Sequence, residues 1–356
     1  MKVALIGLLE SGKSTIFSAM SGKGISPVGS QTIEEGMVSV PDARLDWLAE
    51  HYKPKKTTHA TIDCLDLPGL NFTDEHGRAA SRRLINQIRS VDLLVLVLRA
   101  FADPAVPMYR NSVDAARDLA ELKTELLLAD LELVATRVEK LEKQVNKPTK
   151  TQAHDKAELA LQKKLQEAIE SEKPISSAIE SEDEREMVKS LGFLTQKPVV
   201  AAVNVGEEQL GESFEFGEVI EEDVPVITIC GKLAYELSQL DAASRKEFMS
   251  DLGISEPVTN KFVRSCYWAL GLITFLTVVS DELRAWPIRR GTVALEAAGK
   301  IHTDIKRGFI RAETFAFDDL KELGSEKALK AAGKIRLEGK EYIVQDGDVI
   351  RFRFNV

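Results

Sequence analysis

At 356 residues, 44% of them hydrophobic and 29% charged, with 22 Gly and 12 Pro, the chain has the composition of a folded protein too long for one ordinary core. Wholesale disorder is excluded and two or three domains are expected. The net charge of -9 excludes a uniformly basic nucleic-acid footprint, yet Arg284 to Val356 holds 15 Lys/Arg against 11 Asp/Glu, a net of +4 that leaves -13 on the rest. A mildly basic C-terminal module touching RNA and a chance excess of charge fit that asymmetry equally well.

From the N-terminus, Val3 to Ile6 is an aliphatic run ending at Gly7, too short for a signal-peptide core and suited to a strand. Ser14 to Met20 has helical character. Further buried-strand candidates are Thr61 to Leu65, stopping at Asp66; Val91 to Leu98; Pro198 to Val203, stopping at Asn204; and Val224 to Ile229, ending at Cys230-Gly231-Lys232. Continuous apolar strands separated by helical stretches predict an α/β domain with a mostly parallel sheet covered on both faces. Ligands in such sheets bind beyond the carboxyl ends of the strands.

Between the third and fourth strands, Leu119, Leu122, Leu126, Ala129 and Leu133, then Val134, Val138, Leu141 and Val145, recur at steps of three and four. With a break at Asn146 to Thr149 and a second helix over Lys156 to Glu170, this reads as an antiparallel helical coiled-coil arm, or as ordinary surface helices folded on the core. The apolar stretch Cys266 to Ser280 falls short of the ~20 residues that cross a bilayer and reads as a buried helix or a helix-strand junction, so no membrane partner is expected. Beyond it, short alternating segments and turns predict a small α+β module with mixed or antiparallel strands. The expected division is a discontinuous nucleotide domain over 1–110 and 193–280, a helical insertion over 111–192 and a C-terminal domain over 281–356. Cys64, Cys230 and Cys266 are odd in number and unpaired in spacing, which suits a reduced cytoplasm and suggests neither disulfides nor a metal cluster.

Gly7-Leu8-Leu9-Glu10-Ser11-Gly12-Lys13-Ser14 matches the pattern GxxxxGK[ST], in which backbone N–H groups wrap phosphates, Lys13 reaches the outer ones and Ser14 ligands Mg²⁺. Asp66-Leu67-Pro68-Gly69 fits the DxxG element: the Asp meets Mg²⁺ through water and the Gly amide senses the outermost phosphate. Lys13 and Gly69 are thus the catalytic candidates, and Ser14, Asp66 and Thr32, a switch threonine or a plain loop residue, the metal candidates. Leu70 stands where Ras-like GTPases carry the Gln that orients water, so water must be positioned differently or hydrolysis is slow. Asn204-Val205-Gly206-Glu207 occupies the place of the guanine-reading NKxD but reads NxxE; without the Lys and Asp, guanine selectivity is not expected, and Asn204 could instead pair with adenine. Gly231, after the fifth strand, joins Asn204 and Glu207 as a nucleotide-binding candidate. None of the five histidines has metal spacing; His76 alone lies near the Asp66 element.

Together with Val40 to Leu45, Thr124 to Glu132, Arg284-Ala285-Trp286, Ala297 to Asp304, Gly308 to Glu313, Val344 to Val349 and Phe352 to Val356, these motifs resemble the Obg-like ATPase family of the YchF type over most of the chain. The resemblance implies a P-loop domain with a coiled-coil insertion and a C-terminal ubiquitin-like TGS domain, ATP preferred to GTP, Mg²⁺-dependent hydrolysis with K⁺ as a candidate accessory cation, and association with ribosomes in translation or stress responses. It carries nucleotide contacts onto Glu10, Ser11, Gly12, Lys13, Ser14 and Thr15, metal contacts onto Ser14 and Thr32, and a base contact onto Val205. Four departures fall where the chemistry happens. Glu10-Ser11 replaces the family's usual Asn-Val and puts a carboxylate beside the phosphates. The first switch, Pro27 to Met37, lacks the usual proline-aromatic pattern, and Asn71 to Arg83 replaces a glycine-rich stretch. A histidine that relatives use aligns near Pro107.

Overall fold

The computed structural model describes residues 1–25, 30–147, 150–279 and 281–355. Pro27 to Gly29 of the first switch, Pro148 and Thr149 at the expected break of the arm, and Ser280 and Val356 lie outside the described residues. Chain order is β1 (Lys2–Ile6), α1 (Lys13–Ser21), β2 (Glu34–Ser39), α2 (Ala43–Tyr52), β3 (Lys56–Thr58), β4 (Thr61–Asp66), α3 (Glu75–Gln87) and β5 (Leu93–Arg99). Helices α4 (Ala115–Gln144), α5 (Gln152–Glu170) and α6 (Glu182–Lys189) follow, then β6 (Val199–Asn204), β7 (Val226–Ile229), α7 (Gly231–Gln239), α8 (Ala242–Asp251) and α9 (Val258–Ala269). The remainder is β8 (Leu272–Val279), β9 (Glu282–Arg289), α10 (Ala294–Ile301), α11 (Thr303–Arg307), β10 (Phe309–Ala316), α12 (Phe317–Leu323), α13 (Glu326–Ala331), β11 (Arg336–Glu338) and β12 (Asp348–Phe354).

The aliphatic runs behave as two-sided burial demands. Every residue of β5 is buried, and β1 from Val3 to Ile6 and β6 from Val200 to Asn204 are buried as well. β1 pairs parallel with β5, β5 with β6 and β6 with β7, in a six-stranded sheet of order β2-β4-β1-β5-β6-β7. All five predicted strands are found in it. β2 was not anticipated: its sequence, Glu-Glu-Gly-Met-Val-Ser, alternates exposed and buried positions as an edge strand does.

The chain divides into two compact units, residues 1–36 with 64–258, and residues 37–63 with 259–356. These boundaries differ from the expected ones. Residues 37–63 and 259–280 group with the C-terminal module, and the helical insertion groups with the nucleotide unit. The second difference has a clear cause: Leu119, Leu122, Leu126 and Ala129 of α4 share the core that contains Ala4, Leu94 and Leu96 of the sheet. The root of α4 is also pinned by Asp130, wholly buried, which accepts from Arg89 Nη1 (2.6 Å), the N–H groups of Leu194 and Thr195 (3.1 and 2.9 Å) and Thr195 Oγ1 (2.8 Å). Farther out, α4 and α5 share their own core of Val134, Val138, Leu161, Leu165 and Ile169, crossed by a two-point Arg137–Glu158 ion pair at 2.6 and 2.8 Å.

In the second unit, Cys266 to Val279 is a helix-strand junction, α9 into β8. The sheet, of order β11-β10-β12-β8-β9-β3, is mixed: β8 with β9, β10 with β12 and β10 with β11 are antiparallel, while β12 with β8 and β3 with β9 are parallel. Phe275, Ile288, Ala298, Ala312 and Ile350 form its core with α10. α2 is held in this unit by side chains distant in sequence. Asp42 caps it, Arg44 bridges Asp42 and Asp346 (2.8 and 2.9 Å), Trp47 meets Phe317 edge-on with centroids 5.5 Å apart, and Tyr52 Oη donates to Glu326 (2.8 Å). Among the described residues no helix is long and apolar enough to cross a membrane.

Candidate functional site

Where β1 ends, the chain turns through Gly7 to Gly12 and enters α1 at Lys13, so the loop's amides lie at a helix N-terminus. Gly12 caps that helix at φ 81°, and a Cβ there would stand 2.1 Å from Asn204 Nδ2, so both backbone and space demand glycine. Glu10 also occupies the left-handed region, at φ 58°, and its side chain is exposed. This is a position that Asn tolerates better than Glu.

Lys13 is buried to 6% exposure. Burial pushes its ammonium below the ordinary lysine range, and the carboxylates of Asp66 and Glu10 pull it back up. Asp66 ends β4, 4% exposed. Burial raises its carboxyl, the Lys13 charge and a hydrogen bond with the Ser14 side chain lower it, and Glu34 raises it again. Its Oδ1 has no hydrogen-bond partner among the described residues, which leaves one buried carboxylate oxygen free beside Ser14. Lys13, Ser14 and Asp66 are therefore brought together as the motifs predict, and Thr15 sits half-buried one residue further along α1.

The DxxG element is joined to the phosphate loop by backbone. Leu9 N–H donates to Leu70 O and Leu70 N–H to Gly7 O, both at 3.0 Å, and Leu67 N–H donates to Leu5 O at 3.2 Å. Gly69 lies so close to the loop that a Cβ would be 2.8 Å from Leu9 Cδ2 and 3.0 Å from Leu9 Cα. Leu70 is fully buried, so the residue in the usual glutamine position packs in the core and faces no water.

Asn204 is placed where expected and occupied otherwise. At 4% exposure its Nδ2 donates to Ser11 O (2.9 Å) and its Oδ1 accepts from Gly231 N–H (2.9 Å), so one carboxamide ties the phosphate loop to the start of α7. Both of its polar atoms are thus already engaged within the protein. Val205 follows with a buried side chain and its N–H on Ile229 O (3.0 Å), and Glu207 makes an exposed ion pair with Lys232 (3.1 Å). Ser11 is 3% exposed and its Oγ has no hydrogen-bond partner among the described residues. Thr32 is not brought to Ser14 or Asp66. It is exposed, and its described contact is a backbone N–H on Ser30 Oγ (3.3 Å). His76 is exposed in the first turn of α3, where it acts on the carboxylate of Asp74.

Two features escaped sequence reasoning. Arg99, at the end of β5, is 3% exposed and donates to Phe101 O, Val106 O and Pro107 O (3.2, 3.1 and 2.6 Å), fixing the loop that reaches Pro107, while its guanidinium stacks on Phe101 at 4.4 Å. The second is a strap beyond Gly69. Phe72 N–H donates to Tyr109 Oη (3.3 Å), Tyr109 Oη donates to Glu121 Oε1 of α4 (3.2 Å), and Arg110 grips Glu121 at 2.6 and 3.1 Å. Arg110 and Asn111 are consecutive left-handed residues, at φ 48° and 61°. No spacing signals such a contact, because its members are 37 and 12 residues apart.

A phosphate loop after the first strand of a parallel sheet, a DxxG element zipped to it and an Asn bracing that loop against the start of α7 define a P-loop nucleotide-binding protein with a GTPase-type fold. A family model described as "50S ribosome-binding GTPase" matches residues 2–179, and one described as "YchF-GTPase_C, Protein of unknown function (DUF933)" matches 272–355. The "Ribosome-binding ATPase YchF" of Bacillus subtilis is 38% identical over 370 residues, covering the whole of both chains. "Obg-like ATPase 1" of Oryza sativa subsp. japonica is 37% identical, covering all of this chain and 92% of that one. The solved structure of the Schizosaccharomyces pombe YchF GTPase superposes with a TM-score of 0.83 at 32% identity, over 99% of this chain and 97% of that chain. The chain belongs to the YchF, or Obg-like ATPase, family.

Proposed function

We propose that the protein is a cytoplasmic, ATP-preferring nucleotide hydrolase that switches conformation with its bound nucleotide and works on the ribosome. The observation that carries the hydrolase reading is the cluster of buried Lys13 and Asp66 with half-buried Ser14 beside amides of the phosphate loop. Lys13 offers a desolvated positive charge to the outer phosphates, where electrostatic stabilisation is stronger than in water. The Ser14 hydroxyl and the free Oδ1 of Asp66 suit a hard divalent cation that keeps several waters. Mg²⁺ would be held there, and when bound it supplies positive charge to the transferring phosphoryl group. Gly69, against Leu9, couples the outermost phosphate to the DxxG segment, and Thr32 joins the site once the first switch closes. Nucleotide contacts fall to Glu10 through Thr15 and to Gly231, with Val205 and Glu207 beside the base.

The preference for ATP rests on the absence of a lysine and aspartate after Asn204 and on the engagement of Glu207 with Lys232. The ribosome as partner rests on the names of the curated relatives. Calorimetric titration of the protein with ATP and with GTP in Mg²⁺ tests the base assignment, and tighter GTP binding overturns it. A second reading, a nucleotide sensor that hydrolyses little, is favoured by the burial of Leu70. Phosphate release with and without ribosomes and K⁺ separates the two: turnover abolished by Lys13→Ala supports the hydrolase, and no turnover above background supports the sensor.

A further inference from the structure

Helix α9 has two unlike sides. Phe262, Val263, Cys266 and Tyr267 are buried, whereas Lys261, Arg264 and Trp268, at i, i+3 and i+7, are exposed along one stripe. Trp268 is 63% exposed. The other two tryptophans are used inside the protein: Trp47 stacks on His51 and meets Phe317, while Trp286 stacks on Phe275 and donates to Thr277 Oγ1. After α9 the chain turns at Gly271, whose N–H donates to Trp268 O (2.8 Å) and whose carbonyl accepts from Arg290 N–H (2.9 Å). That turn sets the exposed Arg289 and Arg290 at the indole end of the stripe. Arg264 and Arg289 each hold a further contact within the protein; Lys261 and Arg290 supply the remaining two cations.

A lone exposed aromatic needs no explanation, but an indole accompanied by four cations on one short surface does. An acidic peptide would use the cations and leave the ring idle. Single-stranded nucleic acid uses both, because phosphates neutralise the cations and any base offers a π-face to the ring. We propose that the exposed face of α9, with Arg289 and Arg290, binds single-stranded RNA, one base stacking on Trp268 and the flanking phosphates meeting Lys261 and Arg290. This extends the ribosome reading to a named surface and is independent of the nucleotide assignment.

The test uses the full-length protein and fluorescein-labelled oligouridylate, with an oligoglutamate of matched charge as competitor, and ribosome co-sedimentation run in parallel. Trp268→Ala should weaken oligouridylate binding about tenfold and Trp268→Phe much less. Lys261→Ala with Arg290→Ala should lower the slope of log affinity against log salt by ~0.7 for each phosphate that is no longer neutralised. No oligouridylate binding at low salt, an unchanged affinity in Trp268→Ala, or oligoglutamate competing as well as unlabelled RNA each overturns the proposal. Failure of the wild-type protein to co-sediment, with RNA binding intact, counts against the ribosome reading alone.

Discussion

Glu10 and Asn204 are the two residues at which this site diverges from what its motifs imply, and they diverge for opposite reasons. Glu10 is disfavoured at its place by a left-handed backbone, while its carboxylate attracts the Lys13 ammonium and, by the same charge, opposes bound phosphates. Glu10→Asn relieves the backbone and gives up only a solvent-screened attraction to Lys13: stability should rise by up to ~1 kcal/mol, since Asn is among the few residues that visit this conformation routinely. Removing one negative charge worth about 1 kcal/mol near the phosphates should tighten Mg²⁺-nucleotide binding about fivefold. Thermal melts and calorimetry check the two effects separately, and an unchanged affinity would mean that Glu10 turns away from bound nucleotide. Asn204, by contrast, was legible as a position and illegible as a role. Its rank after a buried strand predicted a base reader, but the partners that engage its amide, Ser11 O and Gly231 N–H, lie 193 and 27 residues away. Leu70 shows the converse: its departure from Gln was plain in the sequence, and the structure adds that the side chain is sealed in the core.

At the level of elements, strands buried on both faces were readable because β1, β5 and β6 have no polar alternative. β2 and β3 were not, because short polar edge strands take their pairing from neighbours. The helical arm was read from its periodicity, yet that same periodicity conceals Gln162. This residue is wholly buried in α5, and among the described residues neither its Oε1 nor its Nε2 makes a hydrogen bond. Gln162→Leu keeps the volume and removes two unmet polar groups, so it should stabilise the arm by ~1–3 kcal/mol, seen as slower amide exchange in α4 and α5. No change, or faster exchange, would show that the amide is satisfied in solution. The strap from Phe72 to α4 gives the arm a link to the phosphate-sensing segment. In it, burial works against ionisation of Glu121, but hydrogen bonding and charge from Arg110 outweigh burial and hold its carboxyl below the usual glutamate range. Its contribution is therefore present above the ordinary glutamate range and is lost as the pH falls through the lowered value. The stability gap between the wild type and Glu121→Gln should close in strong acid.

On the scale of the whole molecule, the second unit is assembled from two stretches of chain, 37–63 and 259–356. Composition and periodicity could not show this, since α2 reads as one more amphipathic helix and its contacts to Asp346, Phe317 and Glu326 are all non-local. A fragment of residues 259–356 alone should melt at a lower temperature than the same fragment linked to 37–63, and equal melting temperatures would mean that the insertion is a passenger. The arrangement also imposes an order on biosynthesis. Residues 37–63, with Leu45 and Leu48 destined for burial, emerge about 200 residues before their partners begin. At ~5–20 residues per second, the nascent chain carries an uncovered apolar helix for ~10–40 s, long enough to need shielding by the ribosome surface or a chaperone.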